Sequence, residues 1–163
     1  MIRKATQNDF EFIHGLYMHP KVNRFLLYEM MDSGEFKPIF NELLSDDVLY
    51  VYEADGVSAG MFKLVLLKHR TSHIGYLGGL AIHPSFFGKG HGKILMREIL
   101  SIGEQLGLMR VELGVSTINA KAIRLYESTG FESEGIRRKA IYLKSEQHFL
   151  DDVSMAYLYE RGT

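Results

Sequence analysis

The densest concentration of residues able to hold a ligand is the run FGKGHGK, Phe87 to Lys93. Glycines at 88, 90 and 92 can bring main-chain N–H groups against an anion with no Cβ in the way. The run leads from a strand end into a helix-forming stretch, and the first turn of a helix exposes unpaired N–H groups at the positive end of its macrodipole. Strand, glycine loop and helix start, in that order, are the ingredients of a phosphate site. Spacing excludes two common versions of it. A P-loop would need Gly at 87 and Ser or Thr at 94, where Phe87 and Ile94 stand. A dinucleotide fingerprint counted from Gly88 meets Lys93 where Gly or Ala is required, and counted from Gly90 it meets Leu95.

The elements that must position this run are readable on both sides. A strand from about Ile74 to Ile82 ends at His83 and Pro84, because proline has no N–H with which to continue a ladder. Beyond the loop, Leu95, Ile99, Ile102 and Leu106 recur at helical spacing, with Gly107 as a C-terminal cap. Val111, Leu113 and Val115 then alternate with Glu112 and Gly114, the pattern of a strand with one apolar face. A short helix from about Asn119 to Thr129 stops at Gly130. Upstream, a first strand at Ile2 to Lys4 precedes Thr6 and Asp9, which stand at capping-box spacing before the helix of Phe10, Ile13 and Leu16. His19 to Gly34 has no clear period, and Phe36 to Leu44 forms a second helix. Strands Val48 to Glu53 and Val57 to Leu67 flank an Asp55–Gly56 hairpin turn. Two last strands, Ile136 to Leu143 and Val153 to Tyr159, are joined by the polar stretch Ser145 to Asp152. The order βααβββαβαββ describes an α/β fold with a mixed sheet.

A chain of 163 residues without repeats or linkers reads as a single domain, 1–163. Its 46% apolar and 24% charged residues exclude a disordered or membrane-embedded chain. Nineteen basic against twenty acidic residues leave a net charge of −1, so neither nucleic acid nor membrane is expected as a partner. The absence of cysteine excludes a thiolate nucleophile and disulfides and suits a reducing compartment. No signal-peptide core follows the first residues, and a cytoplasmic location is expected. The seven histidines make no carboxylate-linked pattern, and no metal is expected.

FGKGHG, preceded by LAIHP at Leu80 to Pro84, resembles the signature of the GNAT superfamily of N-acetyltransferases: Arg or Gln, two residues, Gly, one residue, Gly or Ala. A second block, NAKAIRLYESTGF from Asn119 to Phe131, resembles that superfamily's Asn, Ala, Leu-Tyr, Gly-Phe block. The element order extends the likeness over nearly the whole chain. It implies a GNAT fold, a mixed central sheet of about seven strands with about four helices, splayed between the fourth and fifth strands.

The resemblance also implies a cofactor, acetyl-CoA, and roles for residues. Main-chain N–H groups from Gly88 through Lys89, Gly90, His91 and Gly92 to Lys93 cradle the pyrophosphate. Phe87 stands where the signature has Arg or Gln, so this position keeps its backbone contact and loses any side-chain hydrogen bond. Main-chain groups of Leu80, Ala81 and Ile82 pair with the pantetheine arm, leaving those side chains free to pack in the core. Asn119 contacts the cofactor and also suits a helix N-cap. Tyr126 protonates the departing thiolate as general acid. The amine must first lose a proton, which at pH 7 costs about 4.6 kcal/mol for a lysine side chain and about 1 for an α-amine. Some relatives carry Glu where this chain has Gly114, so Glu112 on the same strand face is the best carboxylate, ahead of His73, Tyr76 and Tyr142. The acceptor is a primary amine on a small molecule, an amino acid or a protein N-terminus. Its pocket is expected from His19 to Gly34, from the strand around Gly78 and Gly79, and from the Ser145 to Asp152 loop. A homodimer is possible by the same likeness. The competing reading, prompted by Phe87 and the missing Glu, is an acyl-CoA-binding module with little turnover.

Overall fold

The structure, a computed structural model, describes residues 1–160; the last three residues of the 1–163 domain expectation lie outside them. Seven strands and four α-helices follow one another as β1 (Ile2–Lys4), α1 (Phe10–Tyr17), α2 (Ser33–Ser45), β2 (Leu49–Ala54), β3 (Val57–Leu66), β4 (Ile74–Ile82), α3 (His91–Gln105), β5 (Arg110–Ser116), α4 (Ala120–Ser128), β6 (Glu132–Leu143) and β7 (His148–Leu158). The order is the expected βααβββαβαββ. The strands form one mixed sheet in the sequence β1-β2-β3-β4-β5-β7-β6. β4 and β5 run parallel, with Ile74 opposite Arg110, Gly75 opposite Val111 and Tyr76 opposite Glu112.

The chain divides into two compact units, Met1–Leu64 with Gly79–His91, and Val65–Gly78 with the chain from Gly92 onward. In the first, α1 and α2 lay Ile13, Leu16, Tyr17, Phe36 and Phe40 on Leu49, Val51 and Met61 of the hairpin. The expected capping box is present: Thr6 Oγ1 accepts from Asn8 N–H, and the Asp9 carboxylate accepts from Thr6 N–H at 2.7 Å. Asp9 is also gripped by both terminal nitrogens of Arg3, at 2.9 and 2.8 Å, and that guanidinium holds its carboxyl below the ordinary range.

In the second unit, the odd-numbered residues Val111, Leu113 and Val115 of β5 and Val153 and Met155 of β7 are buried, as are Leu95, Met96 and Ile99 of α3. One member of the expected α3 stripe does not belong to it. Leu106 lies past the helix end and is exposed, while Gly103 is buried. The hydroxyl of Tyr159, which donates to Leu100 C=O at 2.7 Å, occupies the space a Gly103 side chain would need. The C-terminal strands are longer than expected and the Ser145–Asp152 loop is correspondingly smaller. β6 begins at Glu132, β7 begins at His148, and Asp152 is a strand residue. Most of β6 is exposed, so no apolar alternation marks its start.

Candidate active site

The glycine run takes the shape its composition allows. Gly88 and Gly90 have φ of +73° and +81°, in the region that L side chains rarely adopt, and a Cβ built on either would meet nothing within 4 Å. Backbone that is left-handed and open on its outer side fits an anion held by main-chain N–H groups. The loop is braced through the His91 side chain by two residues that the sequence did not single out, Tyr52 and Phe86. His91, the first residue of α3, makes a 2.9 Å hydrogen bond through Nδ1 with the hydroxyl of Tyr52 on β2 and meets the Phe86 ring edge-on. Lys89, Phe87 and Lys93 are exposed. Gly92 serves packing as well as the loop: its missing Cβ would lie 3.0 Å from Leu125 Cδ2, so α3 and α4 approach closely at this point.

Ahead of the loop, Leu80 and Ile82 are only partly buried and Ala81 is the inward residue. The core burial that a backbone role leaves open to Leu80 and Ile82 is thus only partial, because strand alternation gives the innermost place to Ala81. Gly60 of β3 makes the close approach possible, since a Cβ there would sit 2.8 Å from Ala81 C=O.

On α4, Asn119 is the N-cap, its Oδ1 accepting from Ala122 N–H at 3.3 Å. Tyr126 is 8% exposed, its ring 6.0 Å from Phe131, which in turn meets Tyr157 of β7. Burial pushes the Tyr126 phenol well above its ordinary pKa, so it keeps its proton across the physiological range. Glu112 lies on the opposite face of β5 and is already engaged: Arg110 Nε donates to its Oε2 at 2.8 Å while both terminal nitrogens of Arg110 hold Glu134.

That face of the second unit carries a carboxylate placed by the sequence in a loop. Asp152 of β7 stands opposite Ser116 of β5 and opposite Arg137 of β6. It is 8% exposed, and its Oδ2 lies 3.1 Å from the point a Gly114 Cβ would occupy. The missing side chain at Gly114 is therefore what admits Asp152. Burial raises the Asp152 pKa, with Arg137 opposing and Asp151 reinforcing that shift. Ser116 Oγ beside it is buried without a hydrogen-bond partner. The phenol of Tyr76 on β4 is also raised, mainly by burial, and feels the charges of Arg137, Asp152 and Glu112. The sequence signal was the alternation of Val153, Met155 and Tyr157, which puts Asp152 and Ser154 on the other face.

A second group belongs to the first unit. Tyr17 of α1 is fully buried and its hydroxyl has no hydrogen-bond partner. It points at Gly79 of β4, whose φ is +56° and whose Cβ would lie 2.7 Å from that oxygen and 3.4 Å from Lys63 Cε. Lys63 is the one lysine within the Met61, Phe62, Leu64 run of β3, and that interruption was its signal. Among the described residues, no group of three or more His, Asp or Glu side chains is placed to hold a metal ion, and His69 and His73, four residues apart, frame a 3₁₀ turn. No helix among the described residues is long and apolar enough to cross a membrane.

Comparison with known proteins settles the family. Residues 10–131 match the acetyltransferase (GNAT) family. The chain is 27% identical over 141 residues to spermidine N(1)-acetyltransferase of Vibrio cholerae serotype O1, covering 82% of this chain and 79% of that one. It is 29% identical over 161 residues to the L-amino acid N-acetyltransferase AaaT of Escherichia coli K12, covering 96% of each. The fold superposes on the crystal structure of spermidine N-acetyltransferase from Vibrio cholerae in complex with CoA and spermine with a TM-score of 0.84 at 23% identity, over 97% of this chain and 94% of that one. Open glycine loop, helix start and Asn119 block thus lie in a chain that belongs to the acetyltransferase (GNAT) family and is an acetyl-CoA-dependent N-acetyltransferase.

Proposed function

We propose that the chain, acting in the cytoplasm as one domain over 1–163, transfers an acetyl group from acetyl-CoA to the primary amine of a small molecule, an amino acid or a protein N-terminus. The amine attacks the thioester directly, since there is no cysteine to carry an acyl group. The observation that carries the reading is the left-handed, outward-open backbone at Gly88 and Gly90 leading into a fifteen-residue helix. Main-chain N–H groups of Gly88 to Lys93 bind the pyrophosphate, and Phe87 contributes backbone alone. Main-chain groups of Leu80, Ala81 and Ile82 pair with the pantetheine amides, and one N–H there steadies the oxyanion. Asn119 orients α4, which carries Tyr126.

Tyr126 supplies the proton that the leaving thiolate takes up. Burial makes the phenol a weaker acid, and the same desolvation makes a thiolate a stronger base, so the transfer remains matched. For the opposite proton transfer, from the incoming ammonium, Asp152 is better placed than Glu112. Its carboxylate is desolvated and faces Ser116 and Gly114, whereas Glu112 is occupied by Arg110. Spermidine and L-amino acid acetyltransferases among the relatives support a small amine acceptor. Exposed Ile136, Tyr142 and Phe149 on the last two strands support self-association as a homodimer.

The test is Tyr126→Phe, assayed by thiol release with saturating acetyl-CoA over a panel of amines. A fall in kcat of about 100-fold with unchanged acetyl-CoA affinity is expected of a lost general acid. Equal kcat in the two proteins would remove Tyr126 from the chemistry.

A further inference from the structure

The first unit holds a cation and a hydroxyl that the acetyl-transfer chemistry above does not use. Lys63 projects from the face of β3 that also carries Met61, and among the described residues no acidic side chain pairs with it. Its Nζ lies 5.7 Å from the centre of the Tyr28 ring, an aromatic contact in place of a counter-ion. Tyr28 in turn meets the Tyr17 ring edge-on at 5.1 Å, and its phenol is raised by burial and by the charge of Glu42. Tyr17 Oη and Lys63 Cε both come within 3.5 Å of the single point where a Gly79 Cβ would be. Gly79 therefore keeps this point free of side-chain carbon, at a left-handed kink of β4 that a larger residue would strain.

Two donors meet here: the Tyr17 hydroxyl, buried without a hydrogen-bond partner, and the partly buried Lys63 ammonium, whose neighbour is the Tyr28 ring. A buried hydroxyl without a partner is a costly arrangement, and a half-buried ammonium without a counter-ion is another. One anionic group with two oxygens satisfies both at once, whereas a polyamine adds like charge. We propose that Lys63 and Tyr17, which meet at Gly79, bind the carboxylate of the acetyl acceptor, so that the preferred substrates are free amino acids and not polyamines or simple alkylamines. The inference rests on the acetyl-transfer reading. A single lysine and a single phenol match a monoanionic carboxylate; a phosphate dianion calls for more donors. Burial lowers the Lys63 pKa in the empty site, and a bound carboxylate reverses that shift.

The experiment compares kcat/KM for a panel of L-amino acids, the primary amines formed from each by loss of the carboxylate, and spermidine. At least one amino acid is expected to exceed its decarboxylated amine by about tenfold or more, and Lys63→Met should abolish that preference through KM with little change in kcat. Lys63→Arg should retain part of it. Spermidine or the bare amines equalling every amino acid, or a preference that survives in Lys63→Met, would overturn the assignment. If no amine is acetylated, the transferase reading fails separately, and the site is then read by the ¹³C-detected titration of Lys63 in the wild-type protein. The midpoint should rise on adding the amino-acid panel and stay put with the matching amines; no rise with any amino acid rejects the carboxylate site.

Discussion

Among the described residues, each unit buries one hydroxyl without a partner close to one charge shifted by burial, and the two charges have opposite sign. In the first, Tyr17 Oη accompanies Lys63, whose shift has burial as its only resolved cause. In the second, Ser116 Oγ accompanies Asp152, where Arg137 partly offsets burial. The difference fits the two roles proposed above, one of binding and one of catalysis. A cation with nothing to balance it is completed by a permanent anion, which is a binding function. A carboxylate raised by burial and checked by a guanidinium can take up a proton and give it back, which is a catalytic one.

The largest test of this contrast is Asp152→Asn. Loss of a general base should lower kcat/KM by about 100-fold at pH 7. Stability should move the other way. A carboxyl whose folded pKa exceeds its unfolded value binds more protons in the folded state, so stability declines as pH rises from the ordinary aspartate range through the raised pKa. The Asn variant removes that loss, and its Tm at pH 7 should exceed that of the wild type while the gap closes near pH 4, as calorimetry across this range would show. Full activity in Asp152→Asn would leave the two units with no functional distinction. Next in size are Tyr17→Phe and Ser116→Ala. Deleting an orphaned buried hydroxyl should stabilise each by about 1 kcal/mol, or about 2–4 °C in Tm for a chain of this length. A Tm that falls in either case means that ordered water completes that hydroxyl. The smallest effect belongs to Glu112→Gln, because the Arg110 network is partly exposed and such pairs contribute about 0–1 kcal/mol. A change beyond about twofold in kcat/KM would return the role of base to Glu112 and weaken the contrast.

The legible parts of this molecule were those governed by local chemistry. Thr6 and Asp9, the Asp55–Gly56 turn, Pro84 after β4 and Gly130 after α4 each act within a few residues, and the element order followed from them. The glycine loop was legible for the same reason, since its conformation and the helix beyond it are encoded in one short run. The two polar groups that distinguish the units were not, because each is made by pairing residues far apart in the chain. Asp152 acquires meaning only opposite Ser116 and above Gly114, and Tyr17 only against Gly79 and Lys63. Gly114 looked like a deletion of chemistry when it was a vacancy for another strand's carboxylate. The start of β6 escaped notice because an exposed strand has no apolar rhythm.

Gly92 has a consequence for how such an enzyme can change. The same residue lies in the run proposed to cradle the pyrophosphate and sets the distance between α3 and Leu125, the neighbour in sequence of Tyr126. A side chain added there to retune one partner would shift the helix bearing the proposed acid as well. On the proposed reading, donor grip and proton delivery are tied to a single position and must evolve together, while the Lys63 cluster, in the other unit, is free to drift toward new acceptors.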